Sequence, residues 1–173
     1  MKDDIRRQMI ENRNNMSSKS LKAQNDQIMS MIQSDSYFQK ATYVGIYYPL
    51  KNEVNLLGLT QGNQKYAFPK VESDGIHFYL LDKKTSFKKS KFGIMEPQAG
   101  MNVDQQIDYL LVPALAIAKN HYRIGFGRGY YDRFLAVIRP THVMGVIYDF
   151  QEIESFKTDK HDQQLDGYFK GSE

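Results

Sequence analysis

Tyr109–Leu115 reads YLLVPAL. A strand that is apolar at nearly every position has to be covered on both faces, and such strands lie at the centre of parallel sheets flanked by helices. The same texture continues on either side. Upstream, TYVGIYYPL from Thr42 is rich in β-branched and aromatic residues and ends at Pro49, which marks a second buried strand. KNEVNLLGLT then reads as a short helix, and Lys65–Phe68 as a strand stopped by Pro69. Residues 76–81 (IHFYLL) and the run around Phe87 suit a hairpin or paired edge strands. GIMEP, Gly93–Pro97, is expected to be a loop, because Pro97 biases Glu96 toward extended geometry. Downstream, His142–Tyr148 supplies a strand beyond Pro140, and Leu165–Phe169 a last one.

The N-terminal part is different. Ile5 and Met9 stand at i, i+4 among charges from residue 2 to about 15. Ser17 or Ser18 then suits the cap of a second helix with apolar positions at Leu21, Ile28, Met31 and Ile32. The expected architecture is α/β: a single domain over residues 1–173, with a mostly parallel mixed sheet flanked by helices and an N-terminal helical pair.

Between the central strand and the next lies RIGFGRGYYDRF, Arg123–Phe134. Glycines at 125, 127 and 129 free the backbone to approach a ligand closely. The loop runs directly into Tyr131, Phe134, Leu135 and Ile138, an i, i+3, i+4, i+7 stripe that marks an amphipathic helix. An anion held by the loop would therefore meet a positively polarised helix N-terminus. Arg123 and Arg128 add guanidinium forks suited to phosphate oxygens. On the helical wheel Asp132 turns toward the loop, whereas Arg133 points nearly opposite the stripe and is expected to be solvated. The spacing matches neither the P-loop nor the dinucleotide fingerprint.

Composition sets outer bounds. With 23 basic and 20 acidic residues the net charge of +3 is too mild to argue for nucleic acid. The cluster Lys83, Lys84, Lys88, Lys89 and Lys91 reads as a solvated face, although lysines there would also attract a polyanion. The absence of cysteine excludes disulfides, thiol catalysis and thiolate metal sites. No window approaches the ~20 apolar residues of a membrane span. The segment MKDDIRRQMIENR lacks the apolar core of a signal peptide, so a cytoplasmic location without membrane contact is expected.

Taken together, the chain resembles the 5-formyltetrahydrofolate cyclo-ligase family, also called 5,10-methenyltetrahydrofolate synthetases. The resemblance is carried by K-x-x-x-R at Lys2 and Arg6, Y-x-P-L-x-x-E-V at Tyr47–Val54, and P-K at Pro69 and Lys70. It continues with GIMEP, V-P at Val112 and Pro113, R-I-G-x-G-x-G-Y-Y-D at Arg123–Asp132, and H-D at His161 and Asp162. It implies an ATP- and Mg2+-dependent ring closure in which ATP phosphorylates the formyl oxygen and a folate nitrogen then expels phosphate. Lys2 and Arg6 would reach the nucleotide. Arg123, Gly125, Phe126, Gly127, Arg128, Gly129, Tyr130 and Tyr131 would hold it, with Arg123 and Arg128 as catalytic cations. Asp132 and Asp162 would hold magnesium. Tyr48, Glu53, Phe126 and Tyr130 would line the folate pocket. The resemblance leaves room for a polyglutamate tail on the folate, and a monomer or weak homodimer is expected.

Read without the resemblance, several of these residues have plainer roles. Lys2 and Arg6 suit solvated charges on a terminal helix, Glu53 a helix-start carboxylate, Tyr131 a core position, and Asp162 a turn residue beside a surface His161. Two alternatives stay open at this level: a sugar-phosphate isomerase-like enzyme, which also places an anion at a glycine loop, and a non-catalytic folate or nucleotide binder. The chain also departs from the family pattern. Ala114, Leu115, Ala116, Ile117 and Ala118 stand where the family usually shows Gly-Leu-Ala-Phe-Asp; the change to Ile117 is expected to reshape one pocket wall, and Ala118 removes any polar role of the usual aspartate. His121 stands where a glycine is usual.

Overall fold

The computed structural model describes residues 1–173. Its main sheet has six strands in the order β11-β9-β6-β1-β2-β3. These are β1 (Tyr43–Gly45), β2 (Lys65–Glu72), β3 (Gly75–Leu80), β6 (Tyr109–Pro113), β9 (His142–Ile147) and β11 (Gly167–Lys170). All neighbours are parallel except β2 and β3, which form an antiparallel hairpin at one edge. The α/β class, the mixed and mostly parallel sheet and the central place of β6 agree with the sequence.

Alternate residues of β6 explain its uninterrupted apolar run. Tyr109 and Leu111 pack on one face with Ile28 and Ile32 of α2 (Ser18–Ser34) and Phe38 of α3 (Ser36–Lys40). Leu110 and Val112 pack on the other face with Phe134 and Leu135 of α4 (Tyr130–Val137). Helix α1 (Lys2–Asn14) lies outside these layers, its Met9 resting on Leu115, Ala116 and Ile124. Ser17 caps α2 by accepting the Ser20 N–H at 3.0 Å.

Several local expectations are corrected. Pro69 does not end β2, which continues to Glu72. The Val71 N–H turns away from β3 toward the Glu96 carboxylate, and Pro69, two residues earlier, faces the same way. The missing proline donor thus removes no bond from the hairpin ladder. Within GIMEP, Met95–Pro97 is strand β5, paired antiparallel with β4 (Phe87–Lys89). The extended geometry imposed on Glu96 is what a strand needs. The helix expected in KNEVNLLGLT shrinks to a 3-10 turn at Leu57–Gln61. Met31 is 37% exposed, and Gln24 occupies the buried stripe of α2 instead.

A second sheet of three short strands, β10 (Glu152–Ile153), β7 (Ala116–Ala118) and β8 (Arg123–Ile124), extends beyond β6 and sets the height at which the glycine loop begins.

Candidate active site

Strands β1 and β6 are parallel neighbours whose chains then diverge. From β1 the chain passes to β2 on one side, and from β6 it passes through β7, β8 and α4 to β9 on the other. Such a switch point opens a crevice beyond the carboxyl ends of the strands, where α/β proteins place ligands. A cavity of about 1080 Å³ lies there, bordered by Tyr47 and Tyr48 after β1 and by Pro113 at the end of β6. That exceeds the ~300–1,000 Å³ of a typical small-ligand pocket and leaves room for more than one molecule.

The glycine loop forms one wall. Gly129 is the residue before α4 and adopts φ 69, ψ 14, a left-handed conformation that β-carbons resist. No side chain caps α4, so its first-turn amides, which lack intrahelical acceptors, remain free for a ligand. The apolar stripe behaves as its spacing requires. Phe134 and Leu135 are buried, and Tyr131 and Ile138 pack against the same cluster, the Phe134 ring 5.0 Å from Phe78. Packing through that stripe aims the helix end and Asp132 into the cavity.

Cations converge on this wall. Arg6 on α1 donates from Nε to the Gly125 carbonyl at 2.7 Å and lies against Gly127. The Arg123 guanidinium stands 5.1 Å from the Tyr131 ring centre, and its Nε is buried without an acceptor. Burial pulls the Arg123 guanidinium below its ordinary pKa, while nearby Asp132 opposes that shift. Arg128 stacks 3.6 Å over Phe92, which ties the loop to the β4–β5 ribbon. Arg133 is exposed, as the wheel requires, yet it also borders the cavity and donates to the Arg128 carbonyl at 2.8 Å.

Carboxylates meet the same wall. Asp132 accepts the Gln163 N–H at 3.1 Å, which places it beside Asp162, the preceding residue in the chain. The Lys2 ammonium sits 2.8 Å from Asp162 and 2.9 Å from Asp159. Burial alone would lower the Lys2 pKa, but its bonds to the two aspartates more than compensate and raise it. A cation is therefore already stabilised between two of these carboxylates, and hard oxygen donors of this kind suit magnesium.

The remaining wall holds Glu53. A tight turn at Leu50–Glu53, with Asn52 at φ 66, folds the chain back so that Glu53 Oε1 accepts the Leu50 N–H at 2.8 Å. Glycine and asparagine are the residues that tolerate this turn position best. Burial pushes the Glu53 carboxyl above its usual range, against the pull of the Leu50 amide and Arg13. Tyr48 packs 5.2 Å from Phe87, and Phe126 is 45% exposed.

Lys2, Arg6, Tyr48, Glu53, Arg123, Gly125, Phe126, Gly127, Arg128, Gly129, Tyr130, Tyr131, Asp132 and Asp162 all border this one cavity. So do Asp159, Gln163 and the β4–β5 residues Phe92, Ile94 and Glu96, none of which the sequence singled out as site residues. Asp159 lies three residues before Asp162, a spacing that suits one turn. The ribbon residues carry no comparable signal. Residues 114–118 do not border the cavity. Ile117 is packed against Gly145 in the core, so the expected change of pocket wall does not occur. His121 takes φ 73, the conformation for which a glycine is suited.

The family model described as "5-formyltetrahydrofolate cyclo-ligase family" matches residues 1–169. The 5-formyltetrahydrofolate cyclo-ligase of Mycoplasma pneumoniae is 34% identical over 129 residues, covering 71% of this chain and 69% of that protein. The NMR structure of Aquifex aeolicus 5,10-methenyltetrahydrofolate synthetase superposes with a TM-score of 0.87 at 32% identity, over 98% of this chain and 89% of that one. The structure of a Mycoplasma pneumoniae 5,10-methenyltetrahydrofolate synthetase gives 0.76 at 28% identity, over 96% of each chain.

Proposed function

The chain belongs to the 5-formyltetrahydrofolate cyclo-ligase family and is an enzyme of that class, and on that premise we propose that it closes 5-formyltetrahydrofolate to 5,10-methenyltetrahydrofolate with consumption of ATP. The formyl oxygen is amide-like and leaves poorly. Transfer of the terminal phosphoryl group of ATP to that oxygen releases ADP and converts it into a leaving group. The second folate nitrogen then attacks the formyl carbon, loses its proton and expels phosphate. Phosphoryl transfer asks the protein mainly for alignment and charge stabilisation.

One observation supports this reading above the others: a capless helix end, six cationic side chains and the carboxylates of Asp132, Asp159 and Asp162 border the same cavity as Glu53 and its aromatic neighbours. In this reading the amides from Gly125 to Tyr131, with Lys2, Arg6, Arg123 and Arg128, hold the triphosphate. Arg123 and Arg128 face the group in transfer. Asp132 and Asp162, joined by Asp159, would hold Mg2+, which neutralises phosphate charge when bound. Glu53 accepts hydrogen bonds from the donor-rich pterin edge, and Tyr48, Phe126 and Tyr130 border the flat rings.

The test is direct. Purified protein mixed with 5-formyltetrahydrofolate, ATP and magnesium develops the strong near-ultraviolet absorption of the methenyl product. Omission of ATP abolishes it. A complete mixture that yields no product contradicts the proposal.

A further inference from the structure

Arg13 is an unusual residue for its position. It stands one turn after Met9 on α1, in line with Ile5 and Met9, and is only 5% exposed. Its Nε and Nη1 are buried without hydrogen-bond acceptors. A buried guanidinium with unfilled donors is costly, because desolvation is compensated only by good partners. The nearest carboxylate is Glu53, whose Oε2 lies 4.0 Å from Nη1. Glu53 borders the cavity and Arg13 does not, so Arg13 stands behind it. A second contact fixes the same junction: Asn14, the next residue of α1, accepts from Asn52 at 3.3 Å. Helix α1 thus places Lys2 and Arg6 at the phosphate wall and, ~16 Å beyond Lys2 and ~10 Å beyond Arg6 at 1.5 Å per residue, Arg13 behind the pterin wall.

We propose that Arg13 is a positioning residue for the folate substrate: standing behind Glu53, whose Oε1 is already fixed by the Leu50 N–H, it keeps that carboxylate charged as an acceptor for the N–H groups of the pterin. This inference rests on the folate role of Glu53 given above. The titratable groups whose charge bears on Glu53 are Arg13 from α1, Tyr47 after β1, Tyr131 from α4 and Tyr148 after β9. Burial raises all three phenols, that of Tyr148 to about 12, so they stay neutral across the physiological range. Arg13 is the charge that counters burial at Glu53. The incomplete 4.0 Å pairing matters for function, because it leaves Oε2 free to accept from a ligand instead of saturating it.

The test is calorimetric titration of 5-formyltetrahydrofolate, without ATP, between pH 6 and pH 8.5. A nearby opposite charge shifts a carboxyl by ~1–3 units. In Arg13→Met the dissociation constant is therefore expected to be about 10-fold or more weaker at pH 6 than at pH 8.5, whereas the wild-type protein changes by less than about 3-fold. Arg13→Lys restores the flat profile because it restores the charge. Arg13→Gln serves as a second neutral variant if Arg13→Met does not fold. Wild-type protein that binds no folate at any pH overturns the functional reading and this inference with it. Wild-type binding together with a flat profile in the neutral variants, or an equally steep one in Arg13→Lys, overturns the role of Arg13 alone.

Discussion

Gly125→Ala separates the site from the fold. A β-carbon at this position would lie 2.4 Å from Arg123 Nη1 and 3.2 Å from its Cζ. Contacts between heavy atoms are comfortable at about 3.5 Å, so the guanidinium has to retreat by roughly 1 Å. Gly125 does not have a positive φ, so alanine introduces no backbone strain. The obstacle is the end of a flexible side chain whose Nε has no partner to lose. Stability should therefore change by less than about 1 kcal/mol. Nucleotide binding should suffer more, because a displaced charge-assisted hydrogen bond costs about 1.5–3 kcal/mol. That corresponds to a KM for ATP raised roughly 10- to 150-fold. Steady-state ATP titrations, paired with thermal unfolding, measure both. The double variant decides the cause: in an Arg123→Ala background, itself impaired for ATP, Gly125→Ala should add little. A wild-type KM in Gly125→Ala, or an equal further loss in the Arg123→Ala background, would refute this route.

Other perturbations probe different parts of the molecule. Asp132→Asn keeps an oxygen for the Gln163 N–H, so the melting temperature should hold while magnesium-dependent kcat falls about 100-fold or more; retained kcat would remove Asp132 from the metal site. Phe134→Ala empties the contact with Phe78 and should cost about 3–5 kcal/mol, seen as a melting temperature lowered by roughly 6–20 °C. His77 is held by Asp104 at 2.6 Å and Asp74 at 2.7 Å, and these bonds raise its pKa. Their stabilisation is complete below the unfolded-state value of ~6.5 and is lost as pH rises through the folded value. Melting temperature should decline over that window in the wild-type protein and less steeply in His77→Gln, and identical slopes would count against the clasp.

Long apolar runs make the main sheet legible: Tyr109–Pro113 and His142–Ile147 are too short for a buried helix and are each bounded by a proline, which favours strands. The glycine loop and α4 were equally readable, since three glycines and a four-residue stripe impose local geometry. The smaller sheet was not. Its strands of two and three residues, one of them the alanine-rich Ala116–Ala118, are too short for periodicity to register. Arg13 and Gln24 are polar and so do not register in an apolar pattern, yet each falls on the apolar stripe of its helix. A polar residue in that place is a signal in its own right, because burial obliges it to find a partner. Gln24 does so by accepting the Asp149 N–H at 2.9 Å, whereas Arg13 has only the Glu53 carboxylate 4.0 Å away. The convergence of Lys2, Tyr48 and Asp162 on one cavity depends on long-range packing, which motif spacing does not contain.

The proposed grip of the glycine loop and the open end of α4 on the nucleotide phosphates can be inspected in a complex. A crystal structure with a non-hydrolysable ATP analogue and magnesium tests it most directly. The triphosphate is expected against the amides between Gly125 and Tyr131, with Arg6 and Arg123 on its oxygens and Lys2 withdrawn from Asp162 to admit the metal. A triphosphate lodged elsewhere, with the loop empty and the Lys2–Asp162 pair intact, would contradict it.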